Sequence, residues 1–106
     1  MRTTLISLTF VALSSGAAFA ADAKAGAAVF DKSCKSCHAA DGTGNPAIAR
    51  MMKVDMTALG SAGVQAKSDA DLKKVITDGQ GKMKPIASVT GASQDDVVAY
   101  IRSFKK

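Results

Sequence analysis

Cys34-Lys35-Ser36-Cys37-His38 holds both cysteines and the only histidine of the chain. Two thiols three positions apart, followed directly by an imidazole, have the C-x-x-C-H spacing of c-type haem attachment. The chemistry accounts for the spacing. Each thiol adds across one porphyrin vinyl group to give a thioether, and one turn of chain between them matches the separation of the vinyls. The histidine then lies under the iron and binds it axially. A covalent link also keeps a small protein from losing its haem. The expectation is one covalent haem c on Cys34 and Cys37, with His38 as an iron ligand.

Three other uses of these residues are weaker. A thioredoxin-like dithiol expects strands alternating with helices, and no run here sustains strand alternation. Structural zinc wants four nitrogen or sulfur ligands, whereas cysteine and histidine together supply three. A plain disulfide leaves His38 without a role.

The opposite axial ligand must be something other than histidine, and methionine is the remaining soft donor. Past residue 20 the candidates are Met51, Met52, Met56 and Met83. Met51, Met52 and Met56 lie among apolar residues at helical spacing, which reads as core filler. Met83 lies in the polar stretch Gly79-Gln80-Gly81-Lys82-Met83-Lys84-Pro85. Such a loop can carry a thioether across a haem face, so Met83 is the expected ligand. His/Met ligation raises the reduction potential. Filling both axial positions with protein leaves no place for substrate and suits electron transfer.

The elements that must position these residues read as helices joined by polar loops, giving an all-α fold. The first helix takes Asp22 as N-cap and runs to about Lys32, with Gly26 and Phe30 on one face. Gly42, Gly44 and Pro46 break the chain after the motif. Short helical pieces are expected over Ala47 to Met52 and near Thr57. Another helix opens at Ser68 with Asp71 at its third position and stops at Gly79. The last opens at Ser93, with Val97, Tyr100, Ile101 and Phe104 on its buried face.

These residues resemble the class I cytochrome c family in its short bacterial monohaem form. The resemblance runs over residues 22–106. It is carried by Gly26 with Phe30, the Cys34–His38 motif, Asp41-Gly42-Thr43-Gly44-Asn45-Pro46, the stretch from Gly79 to Met83, and Val97-Val98-Ala99-Tyr100-Ile101. It implies three main helices and short helical pieces wrapped around one haem. It also implies that first and last helices cross at a small residue, with Gly26, Phe30, Val97 and Tyr100 at the crossing. The family places a proline carbonyl against the imidazole proton, and Pro46 matches that position. Many short members have proline directly after the axial methionine, whereas Lys84 intervenes here before Pro85.

The first twenty residues read as an export signal. Arg2 is the basic end, Leu5 to Leu13 the apolar stretch, and Ala18-Phe19-Ala20 the small-x-small cleavage pattern. An uncleaved anchor is the alternative, though the stretch is short and diluted by polar residues. The following residue is Ala21 rather than cysteine, so no lipid can be attached there. Cleavage leaves a cytochrome domain of residues 21–106 in the periplasm. That part holds only Phe30, Tyr100 and Phe104 as aromatics and has no tryptophan. Haem would supply the apolar area that the side chains lack.

The whole chain carries a formal charge of +5, and removal of Arg2 leaves +4. All nine acidic residues are aspartate. No basic run with interleaved aromatics points to nucleic acid. The excess suits a soluble protein that meets acidic partners. The expectation is a monomer, free of the membrane after cleavage, that shuttles electrons between redox partners in a respiratory chain. Lys35, Lys82 and Lys84, with Lys53, flank the motif and the Met83 loop as a docking patch or as ordinary solvated surface. A peroxidase-like haem enzyme and a gas sensor with a labile sixth ligand are the competing functions. Against the enzyme, there is no second histidine, no glutamate and no evident general acid.

Overall fold

The computed structural model describes residues 21–106; the expected export signal, residues 1–20, lies outside the described residues. Among the described residues the chain forms six helices, α1 (Ala23–Ser33), α2 (Lys35–His38), α3 (Pro46–Met52), α4 (Ala62–Gln65), α5 (Asp69–Asp78) and α6 (Ala92–Arg102). The only ladder-type pairing among them is an isolated bridge between Gln80 and Met83. The fold is therefore all-α, with three main helices and three short ones.

Asp22 starts α1 as expected. Its carboxylate accepts from the N–H groups of Lys24 and Ala25, at 2.9 and 3.2 Å, satisfying two of the donors that a helix start leaves open. Gly26 and Phe30, four apart, are the buried residues of α1. They face α6, whose Val97, Val98 and Ile101 are buried. Helix α5 packs on α6 as well and buries Leu72 and Ile76. These residues and Val89 make the core, with Cys34, Leu59, Val64, Ile86, Tyr100 and Phe104 packed against it. Phe30, Tyr100 and Phe104 meet edge to face in all three pairings, with centroids 5.0–5.4 Å apart, the arrangement that ring quadrupoles favour.

Ser68 caps α5 by accepting from the Asp71 N–H at 3.1 Å, and Gly79 ends the helix at φ +77°. Two boundaries differ from the sequence expectation. No helix forms near Thr57. There the Leu59 N–H is taken by the Gly42 carbonyl at 2.9 Å, which ties the segment back across the loop rather than along itself. The short helix forms later, as α4, where the Ser61 hydroxyl accepts from the Val64 N–H. Helix α6 opens at Ala92 rather than Ser93. Gly91, at φ +56° and ψ −128°, turns the chain into the helix one residue sooner than a serine cap would.

Arg102, at the end of α6, holds the far side together. Its guanidinium donates to the carbonyls of Gln65 (2.9 Å) and Lys67 (2.6 Å) and to the Asp69 carboxylate (2.7 and 3.1 Å). Gln65 adds donations to the carbonyls of Leu59 and Ile101. The connection from α4 to α5 is thereby fastened to α6.

Candidate haem site

Cys34 stands where α1 ends and α2 begins. Its N–H donates to the Phe30 carbonyl at 2.9 Å, and its own carbonyl accepts from Cys37 (3.3 Å) and His38 (3.0 Å). The motif is thus one tight turn continuing directly from α1. Both thiols are free and half-buried. Cys34 packs against the core, and burial, helped by the neighbouring Cys37, pushes its thiol up to about 11. Near neutral pH it is held as the uncharged thiol.

His38 is half-buried, and burial pushes its imidazole below the ordinary histidine value. The ring is therefore held neutral, the form that can ligate a metal. Its Nδ1 is buried without a hydrogen-bond partner. A bond from this nitrogen to the Pro46 carbonyl is accordingly not formed in the structure. An orphaned ring nitrogen costs about 1–3 kcal/mol, which marks the ring as arranged for something besides the protein around it. The described residues contain no cluster of three or more His, Cys, Asp or Glu side chains able to hold a bare metal ion. Two free thiols at C-x-x-C spacing, a neutral imidazole directly after them and an apolar wall fit a single covalent haem.

The loop after α2 returns through Ala39 (φ +64°), Gly42 and Gly44 to Asn45 and Pro46. Asn45 caps α3 with its side-chain oxygen, which accepts from Ala47 (3.0 Å) and Ile48 (3.4 Å), and Pro46 takes the first helical position. Asn45 and Gly44 also reach back to the motif. Sequence reasoning gave Asn45 no role, although Asn-Pro before an apolar run is a readable helix start.

Met83 sits on a different element. It closes a turn after α5, with Gln80 N–H to Met83 carbonyl and Met83 N–H to Gln80 carbonyl both at 2.9 Å. A Cβ at Gly79 would lie 2.5 Å from the Met83 carbonyl oxygen and 2.9 Å from Pro85 Cδ, so only glycine lets the turn close. The side chain of Met83 is half-buried. The Ile86 N–H donates to the Ile76 carbonyl at 2.8 Å and fastens the loop to α5. The structure therefore gathers Cys34, Cys37, His38, Asn45 and Pro46 at one end of α1 and puts Met83 at the end of α5, both helices packing on α6. Met52 and Met56 are half-buried, but Met51 is 71% exposed and is not core filler. Lys35, Lys53, Lys82 and Lys84 are all exposed, and Lys35 pairs with Asp31 at 3.1 Å.

An all-α scaffold that presents two free thiols and a neutral imidazole in this order defines a c-type cytochrome. The family model for cytochrome C oxidase, cbb3-type, subunit III, matches residues 21–101, and the chain belongs to that family. A solved structure described as KustC0563 c-type cytochrome is similar over 76% of this chain and 98% of its own, with a TM-score of 0.65 and 25% identity. No curated protein matches the chain. The shared role at this level is electron carriage rather than catalysis. No described helix is long and apolar enough to cross a membrane.

Proposed function

We propose that the chain is an exported, diffusible electron carrier with a class I cytochrome c fold. One haem c is held by thioethers at Cys34 and Cys37 and ligated by His38 and Met83. The observation that carries this reading is the buried, unpartnered Nδ1 of His38 beside two free thiols. When bound, the haem iron supplies a one-electron couple between Fe(II) and Fe(III). The chain does the rest. Cys34 and Cys37 fix the group covalently, and His38 offers a neutral nitrogen. The resemblance to class I cytochromes gives the Pro46 carbonyl the role of accepting the imidazole proton once the group is bound, and the Gln80–Met83 turn holds a thioether donor. Exposed Lys35, Lys53, Lys82 and Lys84 suit acidic redox partners met one at a time by a monomer in the periplasm. An oxidase of the kind named by the family is one such partner.

Met83→Ala tests the ligation. The oxidised parent should show the sulfur-to-iron charge-transfer band, and the reduced parent should bind carbon monoxide only slowly. The variant should lose the band and bind the gas readily. A parent that is high-spin and binds the gas at once would instead support an enzyme or a sensor. Survival of the band in Met83→Ala would move the ligand to another methionine.

A further inference from the structure

The last carbonyls of a helix have no partner within it. In α2 those carbonyls belong to the haem motif itself, and a single short segment satisfies them. The Ser36 carbonyl accepts from the side-chain Nδ2 of Asn45 at 3.1 Å. The Cys37 carbonyl accepts from the Asn45 N–H, and the His38 carbonyl from the Gly44 N–H, both at 2.8 Å. The other end of the same side chain, Oδ1, caps α3 through Ala47 and Ile48. One half-buried amide therefore grips the attachment turn with its donor and the start of α3 with its acceptor.

Among the good helix caps, serine and aspartate would serve α3 about as well. Only asparagine carries a donor and an acceptor on separate atoms, and so can serve both sides at once. The capping role alone does not ask for asparagine; the bond to Ser36 does. The peptide of Asn45 is also the one that places Pro46, next in the chain.

We propose that Asn45 is the positioning residue for His38, clamping the attachment turn to α3 so that the imidazole keeps one orientation toward the iron; this rests on His38 being the iron ligand. Asn45 touches neither ring nor haem in this scheme. It acts through the carbonyls of Ser36 and Cys37 and through the placement of Pro46. Hydrogen bonding around a ligating imidazole fixes the orientation of the ring and raises its basicity. A ring held less firmly donates less charge to iron, which disfavours the oxidised state.

The test uses the holoprotein with Asn45→Ser and Asn45→Asp. Both keep an oxygen that caps α3, and both lose the amide Nδ2 that donates to the Ser36 carbonyl. The readouts are the hyperfine-shifted ring protons of His38 in the oxidised protein, the reduction potential and Tm. Asn45→Ser should displace the ring resonances and raise the potential, with Tm within a few degrees of the parent. Asn45→Asp should displace the ring resonances too, and carries the test alone if the serine variant does not accumulate. Ring resonances that coincide with the parent's in the variants that fold would reduce Asn45 to a helix cap and overturn the proposal. A parent without hyperfine-shifted imidazole protons would overturn the ligation by His38 and this proposal with it, a result distinct from silent variants.

Discussion

A Cβ atom on Gly26 would overlap the main-chain carbonyl oxygen of Asp96 and lie 2.5 Å from its carbonyl carbon. Helices α1 and α6 therefore cross backbone to backbone. Asp22 strengthens the same crossing, because its N–H donates to the Asp96 carboxylate at 2.9 Å. The haem motif leaves α1 directly, so this crossing sets where Cys34 begins.

Gly26→Ala should consequently destabilise the holoprotein, although alanine is the better helix former. Backbone atoms cannot turn aside as side chains do, and the cost should be about 3 kcal/mol, at the upper end for overpacking. Denaturant unfolding followed by helix signal checks it. A variant as stable as the parent would mean that the helices do not approach this closely.

Arg102→Lys should loosen the connection between α4 and α5. Lysine keeps the charge but cannot reach the carbonyls of Gln65 and Lys67 and the Asp69 carboxylate together, as the planar fork does. The loss should be about 1–2 kcal/mol, since hydrogen bonds from a charged donor are the strong ones. Amide exchange should rise first around residues 65–69. Unchanged exchange there would show the clasp to be slack in solution.

Asp41 gives a pH dependence with a definite sign. The Thr43 hydroxyl, at 2.6 Å, and the Thr43 N–H, at 3.1 Å, both donate to its carboxylate and hold its pKa below the ordinary 3.8. The folded chain then binds fewer protons than the unfolded chain as pH falls. The stabilisation is complete above the ordinary carboxylate value and disappears as pH falls through the folded one. Thr43→Val should move the Asp41 titration upward when followed by NMR. An unmoved titration would remove the hydroxyl as the cause.

Blocking attachment with Cys34→Ala and Cys37→Ala should leave residues 21–106 largely without native helix. Among the described residues the buried core contains just seven hydrophobic residues, and the largest fully buried side chains are Phe30 and Val97. So small a core is marginal for a domain of this length, and His38 keeps an orphaned nitrogen besides. Far-UV circular dichroism of the double variant checks the point. Substantial native helix would show that the side chains suffice alone.

Much of the site could be read without coordinates because it is local. Cys34, Cys37 and His38 lie within one turn, and their order is itself the chemistry. Asp22, Ser68 and Gly79 act on backbone groups within three or four residues, so α1 and α5 were readable at their starts and ends. The helix expected near Thr57 failed for the opposite reason. Its deciding bond, Leu59 to Gly42, joins residues 17 apart, and no local pattern announces it. Met51 shows the same limit, since helical spacing suggests burial but only a covering element provides it.

The sequence by itself determined the C-x-x-C-H spacing suited to haem attachment, the all-α character and the absence of a second histidine. Residue type and short spacing suffice for those. Only the tertiary structure decided that Gly26 meets the Asp96 backbone, that Arg102 fastens residues 65–69 to α6, and that Asn45 grips the haem motif and α3 with one amide. Each of these joins segments distant in the chain or uses both ends of one side chain. They depend on where folding brings unsatisfied backbone groups together, which composition and periodicity do not encode.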